Sequence, residues 1–174
     1  MPSMKRTAWF ERKFPTILDN GLLLGILERL DGTPVRLRAM VAGATPLDAP
    51  HGWSAAKELG HLTDLEPLWL KRAQDILTGS AELTVADLTN RATHDADHDR
   101  WPLSQLVDRF EAQRRALVAT LRAAEESDLE RAARHPRLGT PMRLVDLAFF
   151  VAEHDDHHMA RLRTLLKGDG ALRD

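Results

Sequence analysis

Four stretches of this chain repeat their apolar residues every three or four positions, and that period sets the fold class. The first runs from about Phe14 to Val41, marked by Ile17, Leu24, Leu27, Leu30, Leu37 and Val41. Asp31-Gly32-Thr33-Pro34 interrupts it, and Thr33 as N-cap with Pro34 as first helical residue restarts or kinks a helix there. The second begins near Trp53-Ser54, with Ser54 as N-cap, and reaches about Leu77. The third spans about Pro102 to Glu126 through Leu106, Phe110, Leu117 and Leu121. The fourth starts at Thr140-Pro141, again a cap followed by proline, and runs to about Lys167. No stretch alternates convincingly as a strand. The reading is one all-α domain over residues 1–174, a four-helix bundle with a flexible tail over about 168–174.

The connections constrain how such helices are wound. Gly79 to Trp101 places 23 residues between the second and third segments. Extended, that chain reaches about 75 Å, whereas a helix of about 24 residues is only about 36 Å long. The two helices can therefore lie parallel, joined by a crossover along the bundle, although the length does not demand it.

Composition narrows the function. With 43% hydrophobic and 29% charged residues the chain can bury a core without disulfides. Cysteine is absent, which removes a thiolate nucleophile and any Cys-based zinc site. A net charge of −2 offers no basic field for nucleic acid. No run approaches the roughly 18 apolar residues of a membrane span, and the charged start MPSMKRTAWFERKFP has no signal-peptide core. The expectation is a soluble cytoplasmic protein.

The fourth segment carries three histidines in VAEHDDHHMARLRTLL. Leu144, Leu147, Val151, His154, His158, Leu162 and Leu165 form one stripe, so His154 and His158 occupy inward positions. His157 falls with Glu153 and Arg161 on a row that reads as solvent-facing. An i, i+4 pair can converge on one metal ion at about 2.1 Å per nitrogen. Two ligands make a weak site, and His61, in line with Leu65 and Leu68, is the best third. Each of these imidazoles could instead be a core residue hydrogen-bonded to a carbonyl or a water. Asp64, one turn after His61, is placed to orient that ring's far nitrogen. Glu58, Asp64 and Asp155 lie near the proposed ligands along their helices as candidates for a general base, Asp155 reading rather as an ordinary helix-surface carboxylate, and His51 reads as solvent-facing. His94 and His98 repeat the HxxxH spacing among Asp95, Asp97 and Asp99, but no apolar stripe frames them, so they read as a solvated loop. His135 lies in the last interhelical connection, where it could border the pocket, and Asn90 and Arg91 sit where the crossover could cover it.

WSAAKELGHLTDLEPLWLKR, followed downstream by HDDHH, resembles the DinB-like superfamily, also called YfiT-like metal-dependent hydrolases. The resemblance extends through LTNRATHDADH and HPRLGTPMRLVDLAFFVAEHDDHHMARL, from about Leu22 to Leu166. It implies a four-helix bundle of up-down-down-up connectivity and a divalent metal (zinc, nickel, iron or manganese) on His61, His154 and His158. Some relatives are transferases or isomerases that use a low-molecular-weight thiol, others have no known activity, and homodimers are common among them. Three neutral imidazoles leave coordination positions open and can activate water or a thiol cosubstrate. The expected function is therefore a metal-dependent hydrolase or thiol-dependent S-transferase acting on a small molecule. The alternative is a non-catalytic, metal-stabilised binding or stress-response protein.

Overall fold

The computed structural model describes residues 7–49 and 51–167, so the tail expected over 168–174 lies outside the described residues. The elements in chain order are α1 (Leu22–Asp31), α2 (Thr33–Val41), β1 (Thr45–Pro46), α3 (Ala55–Leu77), α4 (Arg91–Asp95), α5 (Leu103–Arg122), β2 (Ala132–Arg134), β3 (Pro141–Arg143), α6 (Leu144–Thr164) and β4 (Leu166–Lys167). The first bundle helix is the bent pair α1–α2; α3, α5 and α6 are the others.

Ion pairs and ring contacts fix the helix directions. Arg122 pairs with Asp31 and Arg38 with Asp108, so α1–α2 and α5 run antiparallel. Glu58 pairs with His158 while Trp69 meets Phe150, which makes α3 antiparallel to α6. Arg29 and Arg36 both reach Asp156, and β1 pairs with β4, so α6 rises beside α1–α2. Leu59 and Leu106 share one apolar cluster near the starts of α3 and α5, which therefore run parallel. The result is up-down-down-up, with residues 78–102 carrying the chain back along the bundle.

The core divides into two apolar clusters with a polar layer between them. One contains Leu30, Trp69, Leu117 and Val151, the other Leu37, Leu62, Phe110 and Met159. Between these positions on the four helices stand Thr33, Glu66, Arg114 and Asp155, all buried. Arg114 donates to both carboxylates, at 2.6 Å to Glu66 Oε1 and 2.6 Å to Asp155 Oδ2, and Thr33 Oγ1 adds a bond to Asp155 at 2.9 Å. Removing one partner of such a group strands a charge in the core, which typically costs about 3–5 kcal/mol. Asp155 is thus no surface carboxylate: it stands one residue past His154, and α6 turns it toward Arg114.

Three helix boundaries differ from the periodic reading. Residues 14–21 are not helical. The Asp19 carboxylate accepts from Gly21 N–H in a turn, and α1 begins only at Leu22. Its buried face is Leu23, Ile26, Leu27 and Leu30, leaving Leu24 exposed. Thr140-Pro141 starts no helix: Pro141 opens β3, which pairs with β2 in a short hairpin. α6 begins at Leu144 because the Asp146 carboxylate reaches back to accept the Arg143 N–H at 2.9 Å. α5 ends at Arg122, earlier than the apolar period suggests. Ser54 does cap α3, accepting from Lys57 N–H at 3.1 Å.

Candidate metal centre

His61 on α3 and His154 and His158 on α6 converge, with one ligand-capable atom from each lying within 4.8 Å of the others. The ring centroids are 4.4 Å apart for His154–His158, 4.7 Å for His61–His158 and 5.4 Å for His61–His154. All three side chains are buried.

For two of the rings the neighbours determine which nitrogen faces inward. Thr93 Oγ1 donates to Asp64 Oδ2 at 2.8 Å, so at 3.0 Å it accepts from His61 Nδ1. His61 therefore carries its proton on Nδ1 and offers a bare Nε2. His158 Nδ1 meets the Glu58 carboxylate at 2.7 Å, which fixes the same tautomer there. Burial holds His61 down at about 4 and pushes His154 and His158 well below the ordinary histidine value, so all three are neutral at pH 7. Neutral imidazole is the form that binds metal.

The geometry fits an ion. His154 Nε2 and His158 Nε2 are 3.2 Å apart. Two nitrogens bound tetrahedrally at about 2.0–2.1 Å would stand about 3.3 Å from each other. Without an ion, a single N–H can be shared across that gap, and His61 Nε2 then has no role in it. Among the described residues His154 Nδ1 is buried without a hydrogen-bond partner, and none of them competes on its far side for the ring's orientation. Aromatic rings hold it instead: Trp9 and Trp69 pack edge-on at 5.0 and 5.4 Å.

The orienting groups were partly visible from sequence. Asp64 acts on His61, but through Thr93, a residue of α4 that periodicity did not single out. Glu58 is fully buried, bonding His158 with one oxygen and pairing with Arg161 Nε at 2.6 Å with the other. His157 is buried too, because the short 3-10 turn Trp9–Glu11 folds across α6 and sets the Trp9 ring 5.6 Å from it. The pair His94/His98 divides. His94 is exposed, whereas His98 is buried and its Nε2 lies 2.9 Å from Asp64 Oδ2. His51 is exposed, as its place before α3 suggests.

A cavity of about 520 Å³ opens from the three rings toward the β2–β3 connection. Its walls are largely apolar, and Asn90 and His135 line it while Arg91 does not. Glu58, Asp64 and Asp155 are also missing from its lining, so none of these carboxylates faces a ligand directly.

A helical bundle with two parallel central helices, and three buried imidazoles at the end of an apolar cavity, defines the class. Residues 21–162 match the DinB superfamily, and the chain belongs to it. The fold resembles YfiT from Bacillus subtilis, described as a probable metal-dependent hydrolase with an unusual four-helix bundle topology. That likeness has a TM-score of 0.70 at 20% identity and covers 88% of this chain and 92% of the other. No curated protein sequence matches the chain. Among the described residues no helix is long and apolar enough to cross a membrane.

Proposed function

We propose that the chain is a metal-dependent enzyme in which His61, His154 and His158 hold one divalent cation beside a small-molecule cavity. The observation that carries the reading is the convergence of three buried, neutral rings, two with bare Nε2 atoms fixed by Thr93 and Glu58. Bound through three neutral ligands, a cation keeps its charge and open positions and supplies the Lewis acidity that turns a water or a thiol into a nucleophile near neutral pH. The chain has no cysteine, so a thiol nucleophile would arrive as a small cosubstrate. Hydrolysis and S-transfer share this centre.

The residues around the centre divide the remaining work. Thr93 with Asp64, and Glu58 with Arg161, keep the His61 and His158 rings in their ligating tautomers. Trp9, Trp53 and Trp69 pack against the sides of the histidine cluster. The YfiT likeness and the family support a metal-dependent hydrolase as the broader class.

The test is metal stoichiometry of untagged protein, with His61→Ala, His154→Ala and His158→Ala compared for metal content and melting temperature. Loss of metal with the fold retained supports a catalytic site, and collapse of the fold supports a structural one. Unchanged metal content in all three variants refutes the assignment. Turnover of simple esters and amides, set against transfer of small thiols to electrophiles, separates the two reactions.

A further inference from the structure

The far end of the cavity carries a second polar cluster that the metal centre does not use. Arg72 on α3 and His135 and Arg137 in the β2–β3 connection all line it. His135 and Arg72 are buried, and Arg137 is half-buried. Among the described residues neither arginine forms an ion pair with a carboxylate, although Asp75 acts on Arg72 from a distance and Asp87 also lines the cavity, and Arg137 Nη2 is buried with no hydrogen bond at all. Arg72 Nε is satisfied by the Thr84 carbonyl at 2.9 Å, while its Nη1 lies 3.1 Å from His135 Nε2.

That last contact places two donors face to face. The backbone N–H groups of Arg137 and Leu138 both point at His135 Nδ1, each at 3.2 Å. Backbone donors cannot reverse, so Nδ1 is the acceptor and the ring proton sits on Nε2. Nε2–H then meets Arg72 Nη1–H. Two N–H groups at 3.1 Å are reconciled when both address one acceptor oxygen. Burial, reinforced by Arg72 and Arg137, keeps His135 at about 4, so the ring is a neutral donor and adds no third positive charge.

The geometry points to an oxyanion subsite formed by Arg72, His135 and Arg137, which binds the acidic end of an elongated amphipathic small molecule. Two unpaired guanidinium groups supply the charge, and the Nε2–H of His135 with Nη1–H of Arg72 supplies a fork for one oxygen. His61, Leu65, Leu68 and Arg72 follow one face of α3, and His61 and Arg72 stand about 16 Å apart along its axis. Leu65, Leu68 and Val85 make the stretch between them apolar. A ligand that reaches both ends therefore has an acid at one terminus, an apolar body, and its other terminus beside the histidines. As a statement about substrate this rests on the catalytic reading above; the subsite itself does not depend on a metal.

The probes are octanoate, octyl phosphate and 1-octanol, titrated by calorimetry against metal-stripped and zinc-loaded protein. The metal-stripped arm removes direct ligation of the acid by zinc. There octanoate or octyl phosphate binds about tenfold or more tightly than octanol, and Arg137→Gln abolishes the preference while octanol affinity and melting temperature stay unchanged. The stronger of the two acids identifies the oxyanion as carboxylate or phosphate. Equal binding of acid and alcohol, no acid binding, or a preference that survives Arg137→Gln overturns the inference. Failure of the metal reading shows differently, as absent zinc in the loaded arm with the acid preference intact.

Discussion

The chain contains the HxxxH spacing twice, and the two copies meet different ends. His154 and His158 sit on one unbroken helix, α6, and their rings approach to 4.4 Å. His94 belongs to the five-residue α4, which ends before Ala96 turns extended (ψ 132°), so His98 leaves on a different course. An i, i+4 spacing brings side chains together only while the helix between them persists. His98 instead lies across α3, where Gly60 makes room: a Cβ on Gly60 would meet the His98 ring at 2.3 Å. The solvated loop expected for this pair is therefore correct for His94 alone. His98 joins the histidine cluster indirectly, since Asp64 accepts from both His98 and the Thr93 that orients His61.

Deleting one of the proposed ligand imidazoles is the most severe way to break this contrast. His154→Ala or His158→Ala lowers zinc affinity by more than the ~10–100-fold that loss of an orienting group costs, as competition with a chromogenic chelator reads directly. Acid comes next. His61 is held at about 4 against an ordinary 6.5, so its neutral form contributes stability that is complete above about pH 6.5 and is lost as pH falls through 4. Below 6.5 the unfolded chain takes up the proton first; the loss in the metal-free protein is ~3 kcal/mol for this group, visible as a falling urea midpoint between pH 6.5 and 4.

Asp64→Asn cuts the tie between the two regions. It weakens the hold on the His61 tautomer and reduces zinc affinity ~10–100-fold, with Thr93→Val giving a similar loss in the same chelator competition. Gly60→Ala tests the packing side of the comparison. The new methyl displaces His98 and costs ~1–3 kcal/mol in denaturant unfolding, as overpacking does elsewhere. His94→Ala is the control: exposed and outside the cluster, it should change stability by under ~0.5 kcal/mol and leave zinc binding unaltered.

How far the site could be read in advance depended on whether a residue's surroundings lay on its own helix. The inward direction of His154 and His158 follows from Leu147, Val151 and Leu162 on the same stripe, and His61 from Leu65 on its own. His157 followed the same rule and misled, because the element that covers it is the turn at Trp9, far away in sequence. The partners of Glu58, His158 and Arg161, come from α6, which no pattern on α3 indicates. Arg72 and His135 meet only because the β2–β3 hairpin folds back beside the crossover, which the Glu82–Arg134 bridge ties down.

The amino-acid order by itself determined that the chain is helical, where its helices roughly lie, and that His61, His154 and His158 sit on apolar stripes, since periodicity is a property of one element at a time. The tertiary structure alone decided that α1 starts late, that Pro141 enters a strand, and that Asp155, Glu58, His98 and His157 are buried. It also decided which nitrogen His61 and His158 offer. Those outcomes depend on hydrogen-bond partners and covering surfaces supplied by distant segments, and no local pattern encodes the partner's position.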